Sequence, residues 1–309
     1  MTSFKSETLN TDTGATLALY LWQSEKTPKA IVHINHGMSE HSARYDRFAN
    51  VLNQNGYHVI AHDHRGHGET KADDAPLGQF ATSDGFNRVL GDCMDVEAHA
   101  RSRWPDLPLV CFGHSMGSII GLNICIRFSD RIDAAALWNS GVDGGALLAI
   151  YSFLLSVERM FKGSDVASGI ARKLTFETWN KTFKPNRTDS DWLSRDETEV
   201  DAYIADPLCG FDATNGLWSD LLDGIRAGAD DTELARIRKD LPIDLLAGGK
   251  DPCSDGGKAV ERLAMRLGAS GIADLSTTIH PDNRHEALNE LNRDQVMADF
   301  IAWLDERFG

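Results

Sequence analysis

Residues 112–118 read FGHSMGS, which sets Ser115 between two glycines, Gly113 two places before it and Gly117 two places after. A serine hydroxyl is a weak nucleophile until a neighbouring base takes its proton. It must also stand clear of its own backbone to reach a substrate. A tight turn between a strand and a helix meets that second need, with small neighbours preventing clashes. LPLVCF upstream reads as the strand, and SIIGLNICIRF downstream as the helix. The first turn of such a helix points free N–H groups at the serine. The string alone proves little, because G-x-S-x-G arises by chance in roughly one chain of this length in ten. An oxyanion site, a base and an acid must be found elsewhere.

The string HINHGMSEHSARY supplies the first of these. His36 and Gly37 end an apolar run, and the loop beyond offers the Met38 N–H as one oxyanion donor, with the Met116 N–H as the other. His36, Gly37, Gly113, His114 and Gly117 shape the supporting loops. Losing one such donor typically costs ~10²–10³ in rate. An acid and then a base should follow the serine in the chain. Asp251 stands just beyond the apolar run LLAGGK, where a buried orienting carboxylate is needed, and Asp255 is a weaker rival further into the loop. His280 and His285 both lie in the late segment IHPDNRHEALNE. His285 is free in a loop to reach across, whereas His280 reads as the end of the strand itself. Serine, aspartate and histidine in that order point to acyl transfer through a covalent intermediate, with no metal and no cofactor.

The elements that would position these groups are legible as short apolar runs ending in glycine, asparagine or aspartate: 29–37, 57–68, 108–115, 133–141, 241–251 and 273–281. Near-continuous apolar runs fit strands buried on both faces of a parallel sheet. Helical patterns alternate with them. RYDRFANVLNQNG places Tyr45, Phe48, Ala49 and Leu52 on one face, and NRDQVMADFIAWLDERF carries a stripe of Val296, Phe300, Ile301 and Leu304. Asn292 and Gln295 suggest a capping box at the start of this last helix. The alternation predicts an α/β fold with a mostly parallel sheet flanked by helices. Two N-terminal segments, near 3–9 and 16–23, alternate more clearly and are expected as an antiparallel edge. From about 142 to 239 no buried strand is evident, and Trp179, Trp192 and Trp218 punctuate helical patterns. That stretch is expected to be an inserted helical cap between core segments 1–141 and 240–309.

Composition narrows the class. A chain of 309 residues, 42% hydrophobic, suits one large domain with an insertion. A formal charge of −15 argues against nucleic acid and against electrostatic attachment to anionic membranes. Five cysteines without framework spacing fit a reducing compartment. With no secretory pattern at the N-terminus, the expectation is a soluble, cytoplasmic protein.

With these motifs in place, the chain resembles the monoacylglycerol lipase and lysophospholipase-like family of α/β-hydrolases, also called serine aminopeptidase-like. HGMSEHSARY, DHRGHG, GHSMG, GGKDP and RHEALNE carry the resemblance from residue 36 to residue 290, and DWLSRDETEVDAYIADPLCGF extends it into the cap. It implies an α/β-hydrolase fold with Ser115 as nucleophile, Asp251 as acid and His285 as base. The sequence departs from the family pattern at Ser118, where a glycine is frequent, and at Asn139–Gly141, where many members have a proline.

Two features compete with this reading. His62, His64 and His67 have the histidine spacing of a zinc-hydrolase motif, but Gly66 stands where that motif needs an aspartate. Local hydrogen bonding of Arg65 and His67 beside the site is expected instead. The run ALLAIYSFLL (146–155) would pack the cap against the core, line an acyl pocket, or give a transient contact with a membrane or micelle. Three functions fit the sequence. The first is hydrolysis of small-molecule ester or lipid substrates such as monoacylglycerols and lysophospholipids. The second is peptidase action with Glu197, Glu199 and Asp201 holding a substrate ammonium. The third is binding without catalysis, against which an intact triad speaks. Since every candidate catalytic residue lies outside it, the cap is expected to select substrate without disturbing the chemistry.

Overall fold

A computed structural model describes residues 4–142 and 144–309; the first residue of the expected edge segment near 3–9 and Asp143 of the expected cap lie outside the described residues. Eight strands form one sheet: β1 (Lys5–Asn10), β2 (Thr16–Trp22), β3 (Ala30–Asn35), β4 (Tyr57–His62), β5 (Leu109–His114), β6 (Ala134–Trp138), β7 (Ile243–Gly248) and β8 (Leu275–His280). Their order is β1-β2-β4-β3-β5-β6-β7-β8. β1 and β2 run antiparallel to their neighbours and form the expected edge, while every other pairing is parallel. β3 to β7 are buried along their whole length, which is why they read as unbroken apolar runs rather than alternating ones.

Helices cover both faces. α1 (Asp46–Gln54), α2 (Gly85–Arg103) and α3 (Met116–Phe128) follow the early strands, and α10 (Lys258–Ala269) and α11 (Arg293–Phe308) follow β7 and β8. Alternate residues of each central strand feed opposite cores. Ile31, Cys111 and Leu245 pack with α2 and α3. Val32, Phe112 and Trp138 pack with Phe48 of α1 and Phe300 of α11, their rings 5.0–6.4 Å apart. The expected capping box of α11 does not form. Gln295 donates instead to Asp299 at 2.7 Å, and the Asn292 amide oxygen accepts from Arg195 at 3.4 Å. A contact within α11 thus holds Gln295, and a tertiary one holds Asn292.

Between β6 and β7 the chain passes through α4 (Ala146–Lys162), α5 (Gly169–Leu174), α6 (Phe176–Lys181), α7 (Glu197–Ala205), α8 (Asn215–Gly228) and α9 (Asp231–Leu234). α8 packs on α2 and α3, and Asn123 donates to the Gly224 carbonyl at 3.0 Å. This explains why α3 is apolar nearly all round: one side meets the sheet and the other meets α8. Among the described residues no helix is long and apolar enough to cross a membrane. All five cysteines are free thiols.

Candidate active site

The parallel strands deliver their loops to one edge of the sheet, and the sequence candidates gather there. Ser115 follows β5 directly and caps α3 with φ 55° and ψ −116°, a backbone conformation costing on the order of 1–3 kcal/mol. The turn that imposes it leaves no room for side chains. A Cβ on Gly113 would stand 2.2 Å from the Gly117 carbonyl oxygen, and one on Gly117 would stand 2.0 Å from that of Asn35. The Ser115 N–H is tied to the Trp138 carbonyl at 2.9 Å, fixing the turn against β6.

His285, five residues beyond β8, places Nε2 2.9 Å from Ser115 Oγ and Nδ1 3.0 Å from Asp251 Oδ1. Asp251 is fully buried and accepts three further hydrogen bonds, from Cys253 N–H and the Ser254 hydroxyl, both at 2.9 Å, and from the Asn139 amide at 3.5 Å. Burial alone would raise its pKa, but the His285 interaction and the Ser254 and Cys253 donors hold it below the usual carboxylate range. An ionised Asp251 takes the Nδ1 proton as a donor, so Nε2 is left to accept from Ser115. Burial would lower the His285 pKa in turn. The Asp251 charge and hydrogen bond, with Glu286 and Glu40 beyond, overcome it and raise the value. Asp255 is not part of this group, since its exposed carboxylate faces Lys258 and Arg262 at 3.9 and 3.7 Å. His280 ends β8, and its carbonyl accepts from Gly249 and Asn283 to form the turn leading to His285.

The loop after β3 is held from several directions. His36 donates through Nδ1 to the Gly37 carbonyl at 2.7 Å and accepts the His64 N–H on Nε2 at 2.9 Å. Burial pushes its pKa down to about 4, so it serves as a neutral strut. Gly37 N–H donates to Glu40 at 2.6 Å. Met38 then lines the cavity beside Ser115, while Met116 opens α3 on the other side of it. His114, its pKa lowered by burial to about 4, lies with its ring 4.9 Å from that of His285.

The histidine-rich loop after β4 is largely tied into its surroundings. Arg65 is buried and bonds Asp92 at 2.8 Å and the Thr13 carbonyl at 2.7 Å, and His67 donates to the Arg65 carbonyl at 2.9 Å. This is the local hydrogen bonding expected of Arg65 and His67. His62, His64 and Cys93 remain as a fully buried set whose ligand-type atoms lie within 4.8 Å of one another.

Several features of the site were not read from the sequence. Trp192 packs tilted against His285, its ring 4.8 Å away, and Trp179 follows at 6.4 Å. These cap tryptophans, anchors by default, form a wall of the site. The backbone of the base loop is held by the insertion as well: His285 N–H donates to the Trp192 carbonyl at 3.3 Å and Glu286 N–H to that of Leu193 at 2.8 Å. Part of the insertion therefore holds the His285 loop in place, a tie that left no sign in the sequence. Ser118 and Ser140, two positions that depart from the family pattern, meet with hydroxyl oxygens 3.0 Å apart. They are 22 residues apart in sequence, and only the pairing of β5 with β6 brings them together.

Two cavities meet at Ser115. One, of about 760 Å³, is mainly apolar and includes Leu148, Trp179, Trp218, Leu221 and Ile225 in its wall. The other, of about 470 Å³, is of mixed character, with Asn180, Lys184, Asp189 and Tyr203 beside Phe176 and Phe211 in its wall. Glu199 and Asp201 are instead paired with Arg47 and Arg187 at 2.6 and 2.7 Å, and Glu197 lies 3.7 Å from Arg187.

The family model for serine aminopeptidase, S33, matches residues 26–292. The chain is 27% identical to a mouse monoglyceride lipase over 295 residues, covering 93% of this chain and 86% of that protein. It is 25% identical over 294 residues to a monoacylglycerol lipase of Mycolicibacterium smegmatis, covering 94% and 93%. A thermostable carboxyl esterase from Bacillus coagulans, solved with glycerol, superposes over the full length of both chains with a TM-score of 0.89 at 23% identity.

Proposed function

From the premise that this chain belongs to the serine aminopeptidase S33 family of α/β-hydrolases and is a carboxylic ester hydrolase, we propose that it cleaves monoacyl esters of polar alcohols through Ser115, His285 and Asp251. The observation that carries the substrate reading is the pair of cavities that meet at one serine, one mainly apolar and the other furnished with charged and amide side chains. The acyl chain lies in the apolar arm against Leu148, Trp218 and Leu221, and the alcohol lies in the mixed arm beside Asn180, Lys184 and Asp189. The size and lining of the two arms suit a monoacylglycerol or lysophospholipid.

The reaction follows from the hydrogen-bond order. His285 Nε2 takes the Ser115 proton as Oγ attacks the ester carbonyl. The oxyanion is received by the N–H groups of Met38 and Met116. Asp251 stabilises the imidazolium, which then gives its proton to the departing alcohol and leaves an acyl-enzyme. Water, activated by the same imidazole, releases the fatty acid. The peptidase reading is not favoured, because the carboxylates of Glu197, Glu199 and Asp201 face arginines. The outer face of α4 exposes Ile150, Phe153, Met160 and Phe161, a surface suited to meeting a micelle or membrane that delivers the substrate.

A fluorophosphonate probe and nitrophenyl esters of two to twelve carbons test the proposal together. Each methylene buried in the apolar arm should contribute up to ~0.8 kcal/mol, so kcat/KM should rise several-fold per carbon until the arm is full. A profile falling from acetate onward rejects the acyl arm. Labelling that survives in a folded Ser115→Ala protein rejects the nucleophile.

A further inference from the structure

Behind the site lie three charged side chains that the reaction above does not use. Arg44 forms a two-pronged pair with Glu286, Nη1 and Nη2 each 2.8 Å from one carboxylate oxygen, and its Nη1 also bonds Glu40. All three side chains are nearly excluded from solvent, with exposures of 12% or less. Two buried carboxylates on one guanidinium are costly to desolvate, so the arrangement is weak as a device for stability alone. Its ends explain it better. Glu286 is the residue after the base, and Glu40 accepts the N–H of Gly37, the residue before the oxyanion donor Met38. Tyr45 fixes Glu40 from the other side at 2.9 Å, and Asn289 fixes Glu286 at 2.8 Å. A contact from the insertion completes the set. The Tyr203 ring lies 4.9 Å from the Arg44 guanidinium carbon, and its hydroxyl donates to the Ser39 carbonyl at 3.1 Å.

We propose that Glu40, Arg44 and Glu286 are positioning residues that lock the base loop to the oxyanion loop, so that His285 and the Met38 N–H hold one fixed spacing about Ser115. The proposal rests on the functional reading above. The fork geometry matters, because only a planar guanidinium can grip Glu286 with two parallel bonds and keep a third for Glu40. The bridge also sets the electrostatics of the base. The charged groups around His285 are Asp251, Glu286 and Glu40, with Arg44 opposing the last two and His114 neutral beside it. Glu286 and Glu40 both favour the imidazolium.

Two substitutions separate geometry from charge. Arg44→Lys keeps the cation but loses the fork, and kcat per active site should fall roughly ten- to a hundred-fold, the scale of a small misplacement of reacting groups. Its KM should stay close to wild type, because the lost spacing matters in the transition state. Glu286→Gln keeps the shape and removes a charge that supports the imidazolium, so the acid limb of kcat/KM should move to lower pH. Active sites are titrated with the fluorophosphonate, so partial unfolding changes the titre and not the kcat per site. Wild-type kcat per titrated site in Arg44→Lys, together with an unmoved acid limb in Glu286→Gln, overturns the bridge. Turnover persisting in Ser115→Ala overturns the underlying reading instead, and the two failures are distinguishable.

Discussion

Replacing Asp251 with asparagine separates two roles of the carboxylate, its charge and its hold on the imidazole tautomer. Oδ1 accepts from Cys253 N–H and from His285 Nδ1, whereas Oδ2 faces the Ser254 hydroxyl at 2.9 Å and Asn139 Nδ2 at 3.5 Å. The Cys253 N–H is a backbone donor and cannot turn round. The Ser254 hydroxyl can rotate to accept, and the Asn139 amide can turn over. An asparagine should therefore keep its oxygen at the Oδ1 position and its NH₂ at the Oδ2 position. His285 then retains its Nδ1 proton and a free Nε2. What is lost is the charge beside the developing imidazolium. At an effective dielectric of ~20, unit charges about 4 Å apart attract by about 4 kcal/mol, and 1.36 kcal/mol is tenfold in rate. Asp251→Asn should thus reduce kcat/KM by about 10²–10³, less than the roughly 10⁴ seen where the wrong tautomer results. The acid limb should also move to lower pH, because the Asp251 charge no longer raises the His285 pKa. The assay is hydrolysis of a nitrophenyl ester across the acid limb, with sites titrated by fluorophosphonate. A loss of about 10⁴ or more refutes the argument from the Cys253 donor, and a loss under about tenfold removes Asp251 from the chemistry.

Two further outcomes follow from the same geometry. The wild-type acid limb should lie above the ordinary imidazole value of about 6.5, since His285 must be neutral to accept a proton and its pKa is raised; a midpoint below about 6 contradicts this. Leu148 lines the apolar arm, whereas Leu155, 1% exposed, is packed in the core. Leu148→Asn should depress long-chain turnover more than acetate turnover, and Leu155→Asn should instead destabilise the fold by about 2–5 kcal/mol, as read by thermal melting with the ester series. Equal effects of Leu148→Asn on both chain lengths would place its side chain outside the acyl path.

The sheet was legible because its central strands are buried on both faces, which leaves an apolar run that no surface element imitates. The candidate site was legible for a related reason. A nucleophile turn needs Gly113 and Gly117 at fixed offsets, and such local constraints survive in a one-dimensional string. The choice between Asp251 and Asp255 also needed only distance from a strand end. Pairings across the chain left no such trace. Arg44 and Glu286 are 242 residues apart, and each sits among other charges in its own segment. Trp192 looked like any core anchor, because its place against His285 depends on how the insertion folds back. The capping box on α11 failed for the converse reason: the local pattern was present, but Arg195 and Asp299 competed for its side chains.

The carbonyls of Trp192 and Leu193 that receive the base-loop N–H groups also decide where this molecule can be divided. A graft that exchanged the whole insertion between β6 and β7 would keep His285 seated only where the new chain presents two main-chain carbonyls at the places of Trp192 and Leu193. Moving the second seam upstream of Asp191 retains them and still exchanges α4, α5 and α6, which contribute Leu148, Trp179 and Asn180 to the two arms. Such a graft varies only part of each arm, since Trp218, Leu221 and Ile225 of the apolar arm and Tyr203 of the other stay with the core.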